Sequence, residues 1–249
     1  YEPYAAYFSD RLGRSIPGVF CDHEGAYGFK LAWSSDLEAT FNKKTGLDLK
    51  TWLPLLFVED EEGHYVKIRW NWYDAVSDLY AEGFFGALNE WCEEHGMYFT
   101  GHTWEESLAL QAATSGDYFK TQRAFSLPGQ DCLGASGLKV RGFKETQSVC
   151  EFDGKRFMSE IMGVVGWQQT PVLMKQIANA VTAWGVSHVI PHGVFFDREL
   201  NSIPFPCDWF DENPFWDYID LWTDFVRRAS FINSCGHLVP DVLLINPMD

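Results

Sequence analysis

Residues 170–192 read TPVLMKQIANAVTAWGVSHVIPH, and this stretch decides the fold class. Thr170 followed by Pro171 is typical of a helix start, because proline fits the first helical position, and Gly185 marks the helix end. The apolar run that follows predicts a buried strand, which ends in a polar residue, His192. A helix that leads directly into a strand is part of a βα unit, which indicates a parallel sheet.

The same alternation of strand and helix patterns extends along the rest of the chain. We predict strands over Ile16–Cys21, Met97–Thr100, Gln130–Leu133, Arg156–Met162, Val186–His192 and Asp241–Asn246. We predict helices from a capping box at Ser35 and Glu38 to Gly46, over about Thr51–Phe57, over about Asn71–Glu94, from a capping box at Thr103 and Glu106 to about Ser115, and from Asn213-Pro214 onward. The class is therefore α/β.

Two parallel architectures compete, an open doubly wound sheet and a (β/α)8 TIM barrel. The open sheet usually carries a glycine-rich phosphate turn, and the sequence contains neither GxGxxG nor GxxxxGK[ST]. Ionisable residues instead follow the predicted strands, where a barrel has its catalytic groups: Asp22-His23-Glu24, His102, Asp131, Glu160 and His192. Only five or six strands are predicted, so we expect an incomplete barrel domain over residues 1–239 that lacks its first strands. Residues 240–249 would form the last strand or begin a following domain.

Charge and composition exclude several classes of partner. The 249 residues carry 35 acidic and 19 basic side chains, a net charge of −16, which argues against nucleic acid and anionic membrane surfaces. The longest apolar runs are too short to cross a bilayer. Six scattered cysteines without a CxxC pair favour a reducing, cytoplasmic location. No signal peptide is visible, but the chain opens with Tyr1, as expected of an excised piece, so a periplasmic or secreted location stays open.

Glu160 is the leading catalytic candidate. It lies inside the apolar stretch FMSEIM, residues 157–162, where burial disfavours the charged form of a carboxyl group and suits it to proton transfer. A salt bridge to Arg156 is the alternative interpretation. An ionised acid within a strand is rarely buried without a task, which favours the catalytic interpretation.

Four further polar residues are candidates with plainer alternatives. Glu24 could equally be an acid in the turn after a strand, with no catalytic role. Glu105 could equally be an acid that complements a helix dipole. His102 and His192 suit metal binding, hydrogen bonding to substrate, or a satisfied position in the core. The sequence contains no HExxH motif, so a metal site would rest on scattered strand ends alone.

Paired carboxylates facing each other across a barrel mouth are the minimum apparatus for hydrolysing a glycosidic bond. One protonates the leaving oxygen, and the other attacks the anomeric carbon or activates water. Sugars also need flat apolar platforms, and five tryptophans follow strand ends or open helices: Trp33, Trp104, Trp167, Trp209 and Trp216. Any single one of them is more typical of the core.

Several motifs together resemble those of large barrel glycosidases, and most closely the α-L-rhamnosidase-like enzymes of glycoside hydrolase family 106. The motifs are IPGVFCDHE at residues 16–24, YFTGH at 98–102 with Glu105, FMSE at 157–160, VIPH at 189–192 and PFW at 214–216. This resemblance implies a barrel domain inside a larger multidomain protein, hydrolysis of terminal rhamnose from an oligosaccharide, polysaccharide or glycoconjugate, and calcium at the site.

More distantly, Asp22-His23-Glu24 is similar to the Asp-Asn-Glu of family 42 β-galactosidases, with His23 departing from that pattern. This second resemblance implies that the predicted strands are the fourth to the eighth of a barrel, and that Glu160 is the seventh-strand carboxylate. The two resemblances imply different residues as the catalytic acid. We therefore assign Glu160 as base or nucleophile, with Glu24 as the leading acid and Glu105 as the contender.

The remaining predicted site residues contact sugar or metal: Asp22, His102, His192, Trp104 and Trp167. Two rival functions stay open, a non-catalytic carbohydrate-binding barrel and a metal-dependent hydrolase that uses His102 and His192. The predicted partners are a carbohydrate and other domains of a larger chain.

Overall fold

The computed structural model describes residues 1–22, 31–103, 108–134, 140–166, 169–194 and 213–246. The chain divides into two compact units, the first formed by residues 1–126 with 243–249 and the second by residues 127–242. Both units place helices between parallel strands, which confirms the predicted α/β class. None of the helices in these described ranges has the length and apolar character needed to span a bilayer.

Within its described residues, the first unit has two strands. Their bounds and those of the helices are β1 (Gly18–Asp22), β2 (Tyr98–His102), α1 (Glu2–Phe8), α2 (Leu37–Thr45), α3 (Leu49–Trp52), α4 (His64–Asp78), α5 (Ala87–Glu94), α6 (Leu108–Ser115) and α7 (Tyr118–Arg123). β1 and β2 pair in parallel, with Asp22 opposite His102. Gly101 permits this close pairing, because a Cβ at that position would overlap the Cys21 carbonyl oxygen.

One long helical segment builds the core of the first unit. A π-helix over Leu79–Gly86 joins α4 to α5, so the helix begins at His64 rather than near Asn71 as predicted. The wider π turn changes which side chains face inward. Phe85 is fully buried and packs 4.5 Å, between ring centroids, from Phe125, whereas its neighbour Phe84 is only partly buried.

The described residues of the second unit form three strands and three α-helices. Their bounds are β3 (Leu127–Cys132), β4 (Met158–Ile161), β5 (His188–Pro191), α8 (Val140–Asp153), α9 (Pro171–Ala183) and α10 (Ile219–Ser234), with a 3₁₀ turn over Trp216–Tyr218 before α10. All neighbouring strands in this unit are parallel, and the register aligns Asp131 with Glu160 and Glu160 with Ile190. The three strands predicted in this region are therefore present. β4 and β5 are shorter than predicted, and β3 begins three residues earlier than predicted.

The two faces of the β3–β4–β5 sheet differ in chemistry. Cys132, Ile161 and Val189 belong to the hydrophobic core that the helices cover. Because side chains alternate along a strand, Asp131 and Glu160 lie on the opposite face. The covered face stabilises the unit, and each fully buried aliphatic side chain contributes roughly 1.5–3 kcal/mol.

Two further local predictions are wrong. Ser35 does not cap α2, since Asp36 is the N-cap residue and makes no side-chain capping hydrogen bond. Residues 241–246, all of which the structure describes, form no strand. Val242 and Leu244 in this segment are 78% and 88% exposed, so the apolar composition there does not report burial.

The predicted start of α9 is confirmed, and it provides a test of the local interactions. Thr170 is the N-cap, and its side-chain oxygen accepts a hydrogen bond from the backbone N–H of Leu173. We expect Thr170→Ala to lower the free energy of unfolding by about 1 kcal/mol, because a helix N–H loses its acceptor. Ser35→Ala is the matched control and should change it by less than about 0.3 kcal/mol. Urea unfolding measures both, and equal effects would contradict the assignment of the caps.

Candidate active site

The second unit places two carboxylates side by side at the carboxyl end of its sheet. Asp131 is the penultimate residue of β3 and Glu160 the penultimate residue of β4, and the parallel register sets them directly opposite each other. Their side chains are 8% and 7% exposed. The burial predicted for Glu160 from its apolar flanks is therefore confirmed.

The distance between these two carboxyl groups is short. A carboxylate oxygen of Asp131 and one of Glu160 lie within 4.8 Å of each other. Two negative charges at that distance repel by at least about 3 kcal/mol at an effective dielectric constant of about 20. Such a pair is stabilised by a shared proton, by hydrogen-bond donors or by a cation. The arrangement suits either proton transfer or binding of a hard cation.

The oxygen donors of this pair fit the calcium ion that the family resemblance implies. Calcium prefers carboxylate and carbonyl oxygens, and Asp131 and Glu160 supply two such groups on neighbouring strands. A site of this kind needs six to eight oxygen ligands, so these two residues would form part of the ligand set.

The turn that follows Glu160 is strained. Met162 and Val164 have φ values of 70° and 66°, a left-handed conformation that is unfavourable for a β-branched residue such as Val164. Strain of this kind costs of order 1–3 kcal/mol and is concentrated at functional sites. The strained turn comes directly after the strand that carries the buried acid. This position indicates that the path of the backbone here helps to place the carboxyl group of Glu160.

His192 lies beside this strained turn. Its backbone N–H donates to the Ile161 carbonyl oxygen at 2.9 Å, and its ring lies so close to Gly163 that a Cβ there would be 3.6 Å from the ring carbon Cγ. Gly163 also accepts a hydrogen bond from the backbone N–H of Gly134, at 2.7 Å, in the turn after β3. The ends of all three strands are thus held together around one glycine.

The alternative interpretation of Glu160 as the partner of Arg156 is not favoured. The guanidinium of Arg156 donates to the Ser187 carbonyl oxygen, at the amino end of β5. Four residues of extended chain place the backbones of Arg156 and Glu160 about 13 Å apart along β4. The pKa of His188 is held below its usual range, mainly because burial disfavours the charged imidazole and also because Arg156 carries a positive charge nearby.

The first unit also has polar groups at the ends of its strands. The Nε2 atom of His102 lies 3.5 Å from Oδ1 of Asp22, in line with their register on β1 and β2. The His102 side chain is 2% exposed and that of Asp22 is 66% exposed. Phe20, on the same face of β1 as Asp22, packs 5.8 Å from the His102 ring. The strand end therefore presents a flat ring and a carboxylate beside a buried imidazole.

Other predicted site residues lie outside the described part of the chain. They are Glu24, Glu105, Trp104 and Trp167, with Trp209 among the suggested platforms. Of the two remaining tryptophans, Trp33 is 60% exposed, whereas Trp216 packs against the core of the second unit. Trp216 is partly buried, and its role as a sugar platform stays a prediction.

Asp131 is the residue to which the sequence did not assign a role. It was recognised only as an acid at a strand end, and its strand, LPGQDC at residues 127–132, contains a proline and a glycine that weaken any strand pattern. Its proximity to Glu160 depends on the pairing of β3 with β4. A signal for it was present in the sequence, because two neighbouring predicted parallel strands each carry an acid at the carboxyl end. Such acids are expected to lie side by side.

Comparison with known proteins identifies the family. A family model described as alpha-L-rhamnosidase, glycoside hydrolase family 106, matches residues 9–247. The chain belongs to this family. The resemblance inferred from the sequence motifs is therefore confirmed.

One relative and one solved structure place this family member among larger proteins. The chain is 22% identical over 260 residues to a protein of Formosa agariphila named "Putative beta-glucuronidase", covering 98% of this chain and 21% of that protein. The structure of a rhamnosidase from Novosphingobium sp. PP1Y matches with a TM-score of 0.71 at 17% identity, covering 94% of this chain and 23% of that one. The chain thus shares the fold of a segment of the rhamnosidase, and it spans about a fifth of the length of these relatives.

The strain after β4 can be measured. We expect Val164→Gly to leave the free energy of unfolding unchanged or to raise it by up to about 1 kcal/mol, because glycine adopts a left-handed φ without cost. Val172→Gly, at an exposed position in the first turn of α9, is the matched control and should lower it by about 0.5 kcal/mol. Denaturant unfolding compares the two variants, and an equal loss in both would show that Val164 is not strained.

Proposed function

We propose that the full-length protein is a glycoside hydrolase that removes terminal α-L-rhamnose from an oligosaccharide, polysaccharide or glycoconjugate. The observation that carries this proposal is the buried pair of carboxylates, Asp131 and Glu160, at the carboxyl ends of neighbouring parallel strands. Membership of the alpha-L-rhamnosidase family supports the reaction class. The name of the rhamnosidase that shares the fold supports the choice of sugar.

We also propose that the parallel strands are the later part of a (β/α)8 barrel whose first strands lie in the rest of the protein. The helix–strand alternation in both units and the greater length of the relatives support this. The boundary suggested at residues 239 and 240 stays a prediction.

Glu160 would act on the anomeric carbon, either as a nucleophile or as the base that removes a proton from the attacking water. A second acid then protonates the glycosidic oxygen so that the alcohol can leave. Glu24 remains the leading acid and Glu105 the contender. Asp131, which lies beside Glu160, would orient that carboxylate and tune its charge.

The remaining polar and aromatic residues would bind the sugar. Asp22 and His102 present a carboxylate and an imidazole together with the ring of Phe20, a combination that suits hydroxyl groups and the apolar face of a pyranose. His192, beside the turn after β4, is close enough to the strand end to contact the same kind of group. Trp104 and Trp167 are proposed as stacking platforms.

The assignment of Glu160 predicts a specific loss of activity. We expect Glu160→Gln to lower the turnover of an aryl α-L-rhamnoside by about 10²–10⁴-fold or more, because the amide neither accepts a proton nor attacks carbon. Glu94→Gln, at an exposed position in α5, is the matched control and should leave turnover unchanged.

Release of nitrophenol from the full-length protein measures both variants, with an aryl β-D-glucuronide tested in parallel. Unchanged turnover in Glu160→Gln would exclude its role. Hydrolysis of the glucuronide but not of the rhamnoside would show that the protein removes glucuronic acid rather than rhamnose. Binding of sugar without hydrolysis of any aryl glycoside would favour a non-catalytic barrel.

The donor atoms at the site also predict which metal binds. We expect chelator to reduce rhamnoside hydrolysis and calcium to restore it, because carboxylate oxygens prefer hard cations. Asp131→Asn should raise the calcium concentration needed for half-restoration by about tenfold or more, since one charged ligand is lost.

Activity titrated against calcium after chelation measures this effect, and Asp117→Asn, a change at the N-cap of α7, is the control. Restoration by a transition metal but not by calcium would instead favour the metal-dependent hydrolase that uses His102 and His192.

A further inference from the structure

One buried side chain of the second unit has no hydrogen-bond partner. Gln169 is 2% exposed, and neither its Oε1 atom nor its Nε2 atom has a partner among the residues that the structure describes. A carboxamide can donate two hydrogen bonds and accept two, so all of this capacity is unused. Exchanging the oxygen and nitrogen positions would not change this, because both atoms lack a partner. A buried amide without partners costs more free energy than one hydrogen bond usually contributes.

The other two buried glutamines that the structure describes in this unit do have partners. The Nε2 atom of Gln130 donates to the Asp131 carbonyl oxygen at 3.2 Å, and Oε1 of Gln147 accepts from the ammonium group of Lys144 at 2.8 Å. Buried polar groups are normally paired in this way, and an unpaired one indicates a ligand or an ordered water as its partner. These two explanations therefore compete for Gln169.

Gln169 lies in the connection between β4 and α9, at the carboxyl end of the sheet. It precedes Thr170, the N-cap of α9, and its backbone N–H donates to the Gly166 carbonyl oxygen at 3.1 Å. Met162 and Met174 belong to one buried core cluster, which ties the first turn of α9 to the end of β4. The amide is therefore on the connection that follows the buried acid, at the edge where parallel α/β proteins bind their ligands.

The chemistry of a carboxamide suits a sugar. Its oxygen accepts a hydrogen bond from one hydroxyl group while its N–H donates to the next, so one amide can pair with two adjacent hydroxyls of a pyranose. A few buried polar groups of this kind fix the orientation of a small ligand in its pocket. An amide kept without a protein partner has this capacity free for the ligand.

We propose, as an inference that rests on the proposed function, that Gln169 is a further sugar-binding residue and pairs with two neighbouring hydroxyl groups of the substrate. Both amide atoms are shielded from solvent, so the side chain rotates about its own single bonds to meet the sugar. The free energy lost by burying the amide without partners is recovered when the sugar binds.

Two variants of the full-length protein separate sugar binding from folding. Gln169→Met keeps the length of the side chain and removes its hydrogen-bonding groups. We expect it to raise the dissociation constant of the sugar by about tenfold or more, because two hydrogen bonds are lost. Gln147→Met, which removes an amide that already has a partner, is the matched control and should leave this constant unchanged. Isothermal titration calorimetry measures binding of L-rhamnose and D-glucuronate to the unmodified protein, and the sugar that binds more tightly is used for the variants.

Amide hydrogen exchange of the same variants without sugar shows whether the Gln169 amide has a structural partner. We expect Gln169→Met to leave exchange in peptides of β4 and α9 unchanged or slower, since the fold loses no hydrogen bond. Gln147→Met should speed exchange in α8 by about threefold or more, because the Lys144 ammonium group loses its acceptor.

Three results overturn the proposal. An unchanged dissociation constant in Gln169→Met would show that the amide does not contact the sugar. Faster exchange in β4 and α9 would show that the amide bridges an ordered water within the fold, and failure of both sugars to bind the unmodified protein would remove the ligand. Neither measurement requires turnover, so a protein that binds sugar without hydrolysing any glycoside would refute the proposed function and leave the role of Gln169 standing.

Discussion

The parallel register of β3 and β4 is the constraint on which the candidate active site depends. It sets Asp131 directly opposite Glu160, on the face of the sheet opposite the hydrophobic core. If both carboxyl groups were ionised, their repulsion would be at least about 3 kcal/mol, which is large compared with the usual contribution of one hydrogen bond. The other face compensates, because it packs Ile161 and its neighbours into a core with α8 and α9. A stable core on one side of the sheet thus holds two close carboxyl groups in position on the other.

The strained turn after β4 belongs to the same arrangement. Met162 and Val164 adopt left-handed backbone conformations immediately beyond the strand that carries Glu160. The hydrogen bonds from Gly134 to Gly163 and from His192 to Ile161 hold the turn in place from the neighbouring strands. Any relaxation of the turn would move the end of β4, and with it the carboxyl group of Glu160. Strain and charge are therefore maintained at one place, as expected where a protein binds or transforms a ligand.

Each unit shows the same principle at its own strand ends. In the first unit the register of β1 and β2 brings Asp22 to 3.5 Å from His102, and in the second it brings two acids together. The helix that precedes β2 contains a π segment that selects Phe85 for the core behind the strands. Apolar packing behind a sheet and polar groups at its carboxyl edge recur in parallel α/β proteins, because the helices cover the faces and leave the strand ends accessible.

The sequence by itself determined the elements and the family. The cap at Thr170, the stop at Gly185 and the acid within FMSEIM are local signals, since each depends on residues a few positions apart. They predicted α9, β4, β5 and the burial of Glu160 correctly. Local signals were wrong at Ser35 and over residues 241–246, where the same residue types occur without the contacts that make them a cap or a strand. Only the tertiary structure decided the position of Asp131 beside Glu160, the π segment and the strained turn. Each of these depends on which strand lies beside which, and that neighbour is set by packing between residues far apart in the chain.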